Sequence, residues 1–324
     1  MSIPIFYACD DNFIKYTIVS LTSMIQNASK NRDYHVYILH TNITEESQKK
    51  VLALETENFS ITFENVTDYL ESISERLPLR HYYTKTTYFR FFIAEMFPQY
   101  DKAIYIDGDT IVQGDISRLY DTNIGNCYLG ACHEQAMVQI DVYGTYCERV
   151  VGVSRKDYFN AGVMLINCEQ FRLHNVLDRF IYYLGIYNFA VTQDEDYLNL
   201  ICKNRVYHLD QHWNTEVTDG LAYSYDVREG AILHYIMVNK PWRYENCRLA
   251  DIFWRYAAQT TEYKTLRAEL EAYTEADRER DRRSAENLYQ MAISETEKVA
   301  NRRPARSQRS LYFKEPMFVY QKAE

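Results

Sequence analysis

The strongest constraint on the fold lies in the first 66 residues, where three short apolar runs alternate with two stretches of helical pattern. Ile3–Ala8 (IPIFYA), residues 35–40 (HVYILH) and residues 60–66 are short and rich in β-branched and aromatic side chains, as strands are. Between the first two, residues 16–27 carry Ile18, Leu21, Met24 and Ile25 at helical spacing. Between the second and third, Thr44 stands as an N-cap ahead of Glu45 and Glu46, which suit the first turn of a helix reaching about residue 58. A β-α-β-α-β order predicts a parallel sheet joined by right-handed crossovers. Ligands of such sheets gather beyond the carboxyl ends of the strands. Asp10, Asp11 and Asn12 stand at one such end.

A second carboxyl end is the stretch AIYIDGDTIVQGDI, residues 103–116. Ala103 to Ile106 read as a central strand, and it runs straight into Asp107 and Asp109 with only Gly108 between them. Two carboxylates one residue apart repel each other unless positive charge sits between them. A solvated turn explains an isolated pair; a divalent cation site explains it if a further ligand arrives from elsewhere. His234 is the candidate, because it closes the apolar run 231–234 (AILH) just before Lys240, Pro241 and Trp242. Hard divalent cations take oxygen ligands, and a histidine nitrogen moves the preference from magnesium toward manganese.

Three further segments carry polar groups into apolar surroundings. A predicted helix over residues 85–97 holds Arg90 among aromatics, where Glu95 or Asp101 could pair with it. A buried strand over 161–167 follows Phe159 and Asn160, and a helix is expected over 168–187. In TQDEDYLNLICK, residues 192–203, Thr192 can cap a helix whose first turn holds Asp194, Glu195 and Asp196. The helix dipole alone accounts for acids at that position.

Composition removes several classes. A formal net charge of −9 argues against nucleic acid as a partner. The seven cysteines form no CxxC pair, so neither a zinc ribbon nor a disulfide scaffold is expected. The sequence shows no basic-then-apolar leader and no run of about 20 apolar residues, which makes the cytoplasm the expected location. Residues 256–324 read as a charged helical extension to a domain spanning 1–255. Its tail, 301–320, interleaves basic and aromatic residues and suits either peripheral contact with the inner face of an anionic membrane or docking on the protein itself. Nothing in the sequence declares an oligomeric state.

YACDDN, TTYFRFF, YIDGDTIVQGDI, FNAGVMLIN, QDEDYLN and HY-x4-KPW occur in this order over about residues 3–245. The set resembles glycosyltransferase family 8, whose members are retaining enzymes with a GT-A fold. The resemblance implies an α/β, Rossmann-like nucleotide-sugar-binding domain with a mixed, mainly parallel central sheet. It implies a UDP-galactose or UDP-glucose donor, a glycan, glycolipid or glycoprotein acceptor, and Mn²⁺, with Mg²⁺ as the alternative. Carried over motif by motif, Asp107, Asp109 and His234 become metal ligands. Ala8, Asp10 and Asn12 hold uracil and ribose, Lys240 faces the phosphates, Arg90, Asn160 and Asp194 meet the donor sugar, and Asp107 and Gly108 are counted with them as substrate-binding. Asp194 and Glu195 are the candidate catalytic carboxylates. Two positions depart from the family pattern: Glu195 stands where glutamine is frequent, and Met237 stands where HYxGxxKPW has glycine. Glu195 could stabilise an oxocarbenium ion, act as a nucleophile, or serve only the helix start. Met237 could alter the phosphate loop, which keeps open a non-catalytic nucleotide-sugar or glycan-binding protein. Metal-dependent nucleotidyl or phosphoryl transfer would require a P-loop or a GxGxxG turn, and the first βα unit has neither.

Overall fold

Ten strands build two sheets in the structure, a computed structural model that describes residues 2–73 and 86–298. In chain order they are β1 Ile3–Ala8, β2 Tyr34–His40, β3 Phe59–Asn65, β4 Lys102–Ile106, β5 Thr110–Val112, β6 Leu129–His133, β7 Phe159–Asn167, β8 Val206–His208, β9 Thr215–Glu216 and β10 Ile232–His234. The large sheet runs β3-β2-β1-β4-β7-β6-β8. Pairings β3-β2, β2-β1, β1-β4 and β6-β8 are parallel, while β7 lies antiparallel to both β4 and β6. The sheet is therefore mixed and mainly parallel, as expected. A small sheet, β5-β10-β9, stands beside it.

Alternation along β1 and β4 splits the core between the two faces. Phe6, Ala103 and Tyr105 join the apolar cluster on one side; Ile3, Ile5, Tyr7, Ile104 and Ile106 join the cluster that includes Ile14, Ile18 and Leu21 of the first helix, Ile14–Asn27. With both faces covered, the central strands are apolar throughout. β4 therefore delivers Asp107 to a rim whose supporting backbone is immobilised on both sides.

Three expected helices are shorter than their patterns, and the one expected to reach about residue 58 is Glu45–Leu52. Residues 86–97 form a 3-10 turn, Thr86–Phe91, followed by Ile93–Met96. The run TTYFRFF holds β-branched and aromatic residues, which are weak helix formers, and Arg90 Nε donates back to Thr87 O at 2.9 Å. Lys85, the first residue of that expectation, lies outside the described residues. The 168–187 segment breaks at Asn175 (φ 51°) into Cys168–Leu173 and Val176–Leu184.

Beyond residue 250, helices Ala250–Ala257, Tyr263–Ala272 and Glu275–Glu297 pack on the sheet domain. Leu266 is fully buried with Tyr16 and Trp242, and Ala292 with Tyr143 and Tyr146. Buried Asp281 accepts hydrogen bonds from Tyr244 at 3.0 Å and Tyr273 at 2.6 Å. The charged run is a solvated face of the last helix, where Glu279 pairs with Arg282 and Arg283. Such exposed pairs contribute little to stability.

Candidate active site

Asp107, Asp109 and His234 converge because two strands meet at the end of β4. The Asp107 N–H donates to Gly162 O of β7 at 2.8 Å, the Tyr235 N–H donates to Asp109 O at 3.0 Å, and Thr110 pairs with His234 across β5 and β10. One ligand atom from each of the three side chains lies within 4.8 Å of the others. His234 Nε2 is 3.2 Å from Asp109 Oδ1 and 4.0 Å from Asp107 Oδ2. Gly162 makes this convergence fit: a Cβ there would stand 2.2 Å from His234 Cε1 and 2.9 Å from Asp107 Oδ2.

Positive charge surrounds the carboxylates. Buried Lys240 donates to Asp109 Oδ2 at 2.6 Å. Burial alone would raise the Asp109 pKa, but Lys240 and His234 outweigh it and hold the carboxyl well below the usual range. Arg90, 3% exposed, donates to Asp107 Oδ1 at 2.9 Å and to Ala161 O at 2.6 Å, and its Nε lies 3.3 Å from Asp194 Oδ2. Its partners are therefore site carboxylates and not Glu95 or Asp101. Tyr105 beneath it donates to Asp107 at 2.7 Å. Two hard carboxylates and one imidazole, all buried or half-buried, form a donor set that fits a divalent cation of the manganese type.

The turn carrying Asp194 and Glu195 is strained. Gln193 adopts φ 52° and ψ −105°, outside the regions open to L-residues at low energy. Asp196 braces it: fully buried, it accepts from Tyr146 at 2.7 Å, Tyr158 at 2.8 Å and the Thr192 N–H at 3.1 Å. Burial raises its pKa to about 6, against the opposing pull of those hydroxyls. Asp196→Ala would strand the Tyr146 hydroxyl and the Thr192 N–H, while Tyr158 keeps Thr192 Oγ1 at 2.7 Å, so urea unfolding is expected to show a loss of about 2–4 kcal/mol. Because the folded pKa exceeds 3.8, protonation stabilises the fold: this contribution is complete below about pH 4 and is lost as pH rises through about 6. Asp196→Asn, which cannot titrate, removes that part of the pH dependence.

Burial first, with the charge of Asp107 adding and Arg90 opposing, raises Asp194 to about 6. Burial, then the charge of Glu134, pushes Glu195 well above the ordinary glutamate range, and its Oε2 accepts the Ala161 N–H at 2.9 Å. Asn160 donates to Glu134 at 2.5 Å. Sequence reasoning missed Glu134, Asn214 and Gly162. Gly162 was visible inside FNAGVMLIN but carried no sign of what faces it; Glu134 and Asn214 lie in stretches with no motif.

Two cavities flank this centre. One, of about 210 Å³, is lined by Ala8, Asp10, Thr87, Gly108 and both motif aspartates. Asn12 is exposed and is not part of that lining. Asp10 also caps the first helix, accepting the Phe13 N–H at 2.8 Å. The other, of about 240 Å³, has Glu195, Asn160 and Glu134 against an apolar wall that includes Met237 and Leu288. Met237 adopts φ 58°, so methionine keeps the left-handed conformation that glycine takes freely.

Residues 4–246 match the model of Glycosyl transferase family 8. The chain belongs to glycosyltransferase family 8. A putative glycosyltransferase of Haemophilus influenzae is 29% identical over 262 residues, 76% of each chain. A lipopolysaccharide 1,3-galactosyltransferase of Salmonella typhimurium is 27% identical over 251 residues, covering 73% of this chain and 72% of its own. Among solved structures, the galactosyltransferase LgtC in complex with donor and acceptor sugar analogues superposes with a TM-score of 0.64 at 25% identity, over 82% of this chain and all of its own. The GT-A fold expected from the motifs is the fold observed, and the family assigns the chain to glycosyl transfer.

Proposed function

We propose that this family 8 protein is a retaining hexosyltransferase. It moves galactose or glucose from a UDP-sugar to a hydroxyl of a glycan, glycolipid or glycoprotein acceptor, forming an α-linkage. The observation that carries this reading is the convergence of Asp107, Asp109 and His234 beside Lys240, at the mouth of the cavity that Ala8, Asp10 and Gly108 line. These three residues would hold Mn²⁺, which when bound supplies charge neutralisation to the departing diphosphate. Lys240 adds a fixed ammonium to the same end, stabilising the UDP that leaves more than the donor that arrives.

On this reading Ala8, Asp10 and Asn12 serve uracil and ribose. Arg90, Asn160 and Asp194 orient the hexose with directional hydrogen bonds. Arg90 joins the two halves of the site, since one guanidinium meets both Asp107 and Asp194. Glu195 faces the second cavity, which we assign to the acceptor; burial and then the charge of Glu134 hold its carboxyl above the ordinary glutamate range. Among the described residues no helix is long and apolar enough to cross a membrane. The tail 301–320, which suits either a membrane surface or docking on the protein itself, lies outside the described residues.

UDP release from a panel of UDP-sugars, with Mn²⁺ and with EDTA, tests the reading. Mn²⁺-dependent release from UDP-galactose or UDP-glucose is the expected result. Tight UDP binding with no release from any donor, with or without added glycan acceptors, would favour the non-catalytic binding protein.

A further inference from the structure

We infer that Asn214 and Asn160 set the tautomer of His234, making Asn214 a positioning residue for the cation site. The inference rests on the proposed role of Asp107, Asp109 and His234 as metal ligands. Its starting point is a donor whose direction is not in question, the backbone N–H of Gly162 on β7. That N–H points at Asn160 Oδ1 at 2.9 Å, which fixes the Asn160 amide with its oxygen inward and its Nδ2 on Glu134 Oε2. The same Asn160 oxygen receives Asn214 Nδ2 at 2.7 Å, so the Asn214 amide is fixed in turn. Asn214 Oδ1 then faces His234 Nδ1 at 3.0 Å, and an amide oxygen can only accept. The proton must sit on Nδ1.

The consequence falls on the other ring nitrogen. In the neutral ring Nε2, which lies 3.2 Å from Asp109 Oδ1, presents a lone pair to a carboxylate, an arrangement that a cation between them resolves. Every group in the chain is enclosed: Asn160, Asn214 and His234 are at most 5% exposed, so water cannot substitute for a missing partner. The relay also ties the metal ligand to Asn160, the residue assigned to the donor sugar. Outer partners of metal-bound histidines hold the ring and its tautomer in this way.

Manganese is titrated calorimetrically into the full chain with saturating UDP, for wild type, Asn214→Ala and Asn214→Asp. Loss of the outer partner in Asn214→Ala is expected to weaken manganese about 10- to 100-fold, while Asn214→Asp, which keeps an oxygen for the Nδ1 proton but sets its other oxygen against Asn160 Oδ1, loses less. Uridine binding in EDTA should be unchanged in both. Wild-type affinity in Asn214→Ala, or equal loss in both variants, overturns the inference. A wild type that takes up no manganese overturns the cation site with it. Nitrogen NMR of the metal-free, ¹⁵N-histidine-labelled wild type needs no folded Asn214 variant: the signal that His234→Gln removes should show the Nδ1–H tautomer, and an Nε2–H signal overturns the inference.

Discussion

Asp109→Asn is expected to lower Mn²⁺-dependent UDP release by at least about 10³-fold while leaving the protein folded. The substitution keeps the side chain's size but removes the charge that both Lys240 and a cation would engage. Lys240 retains the carbonyl oxygen of Tyr235 as a partner, so its ammonium is not stranded. The Asp107 carboxylate, relieved of a like charge two residues away, keeps Arg90 and Tyr105. Thermal unfolding should therefore shift by no more than a few degrees, since the backbone bonds that fix the β4–β5 turn are untouched. Retention of more than a tenth of wild-type release would mean that the Asp-x-Asp pair does not hold the ion that the reaction uses.

Gly162→Ala is expected to abolish manganese binding from a position that has no side chain of its own to offer the ion. A methyl group 2.2 Å from His234 Cε1 cannot be accommodated without movement. β7 is hydrogen-bonded to β4 on one side and β6 on the other, so its backbone is the least able part to move. The imidazole must leave, and with it goes one of the three ligands. Overpacking of this kind costs about 1–3 kcal/mol, which a domain of this size survives. Calorimetry of manganese with UDP, set beside a urea unfolding curve, separates lost binding from lost fold. Gly185→Ala, where a Cβ meets nothing closer than 3.4 Å, is the control. Unchanged manganese affinity in Gly162→Ala would place the ion away from His234.

The sheet and the metal-type triad were legible in the sequence for separate reasons. Parallel strands covered on both faces must be continuously apolar, so IPIFYA, HVYILH and the run ending at Ile106 announced themselves. Asp107, Asp109 and His234 became legible as a set only through the ordered motifs, because 124 residues separate Asp109 from His234 and only β5–β10 pairing joins them. Arg90 was visible as a charge among aromatics, but whether it served Glu95, Asp101 or the site depended on where a 3-10 turn pointed it. Asn214 and Glu134 act through side-chain geometry across separate loops, and no spacing rule encodes that. Met237 exposes a limit of residue-type reasoning: methionine argues against positive φ, yet the loop holds it at 58°. A non-glycine residue in that region costs on the order of 1 kcal/mol, which the surrounding fold can impose.

The central claim is that Asp107, Asp109 and His234 hold a divalent cation for the diphosphate of a sugar nucleotide. Anomalous diffraction at the manganese edge, from crystals grown with MnCl₂ and UDP, tests it most directly. The account predicts one strong peak bounded by the two carboxylates and His234 Nε2, with UDP phosphate oxygens on its open side. UDP seated in the Ala8–Asp10 cavity with no manganese peak at these three side chains would contradict it.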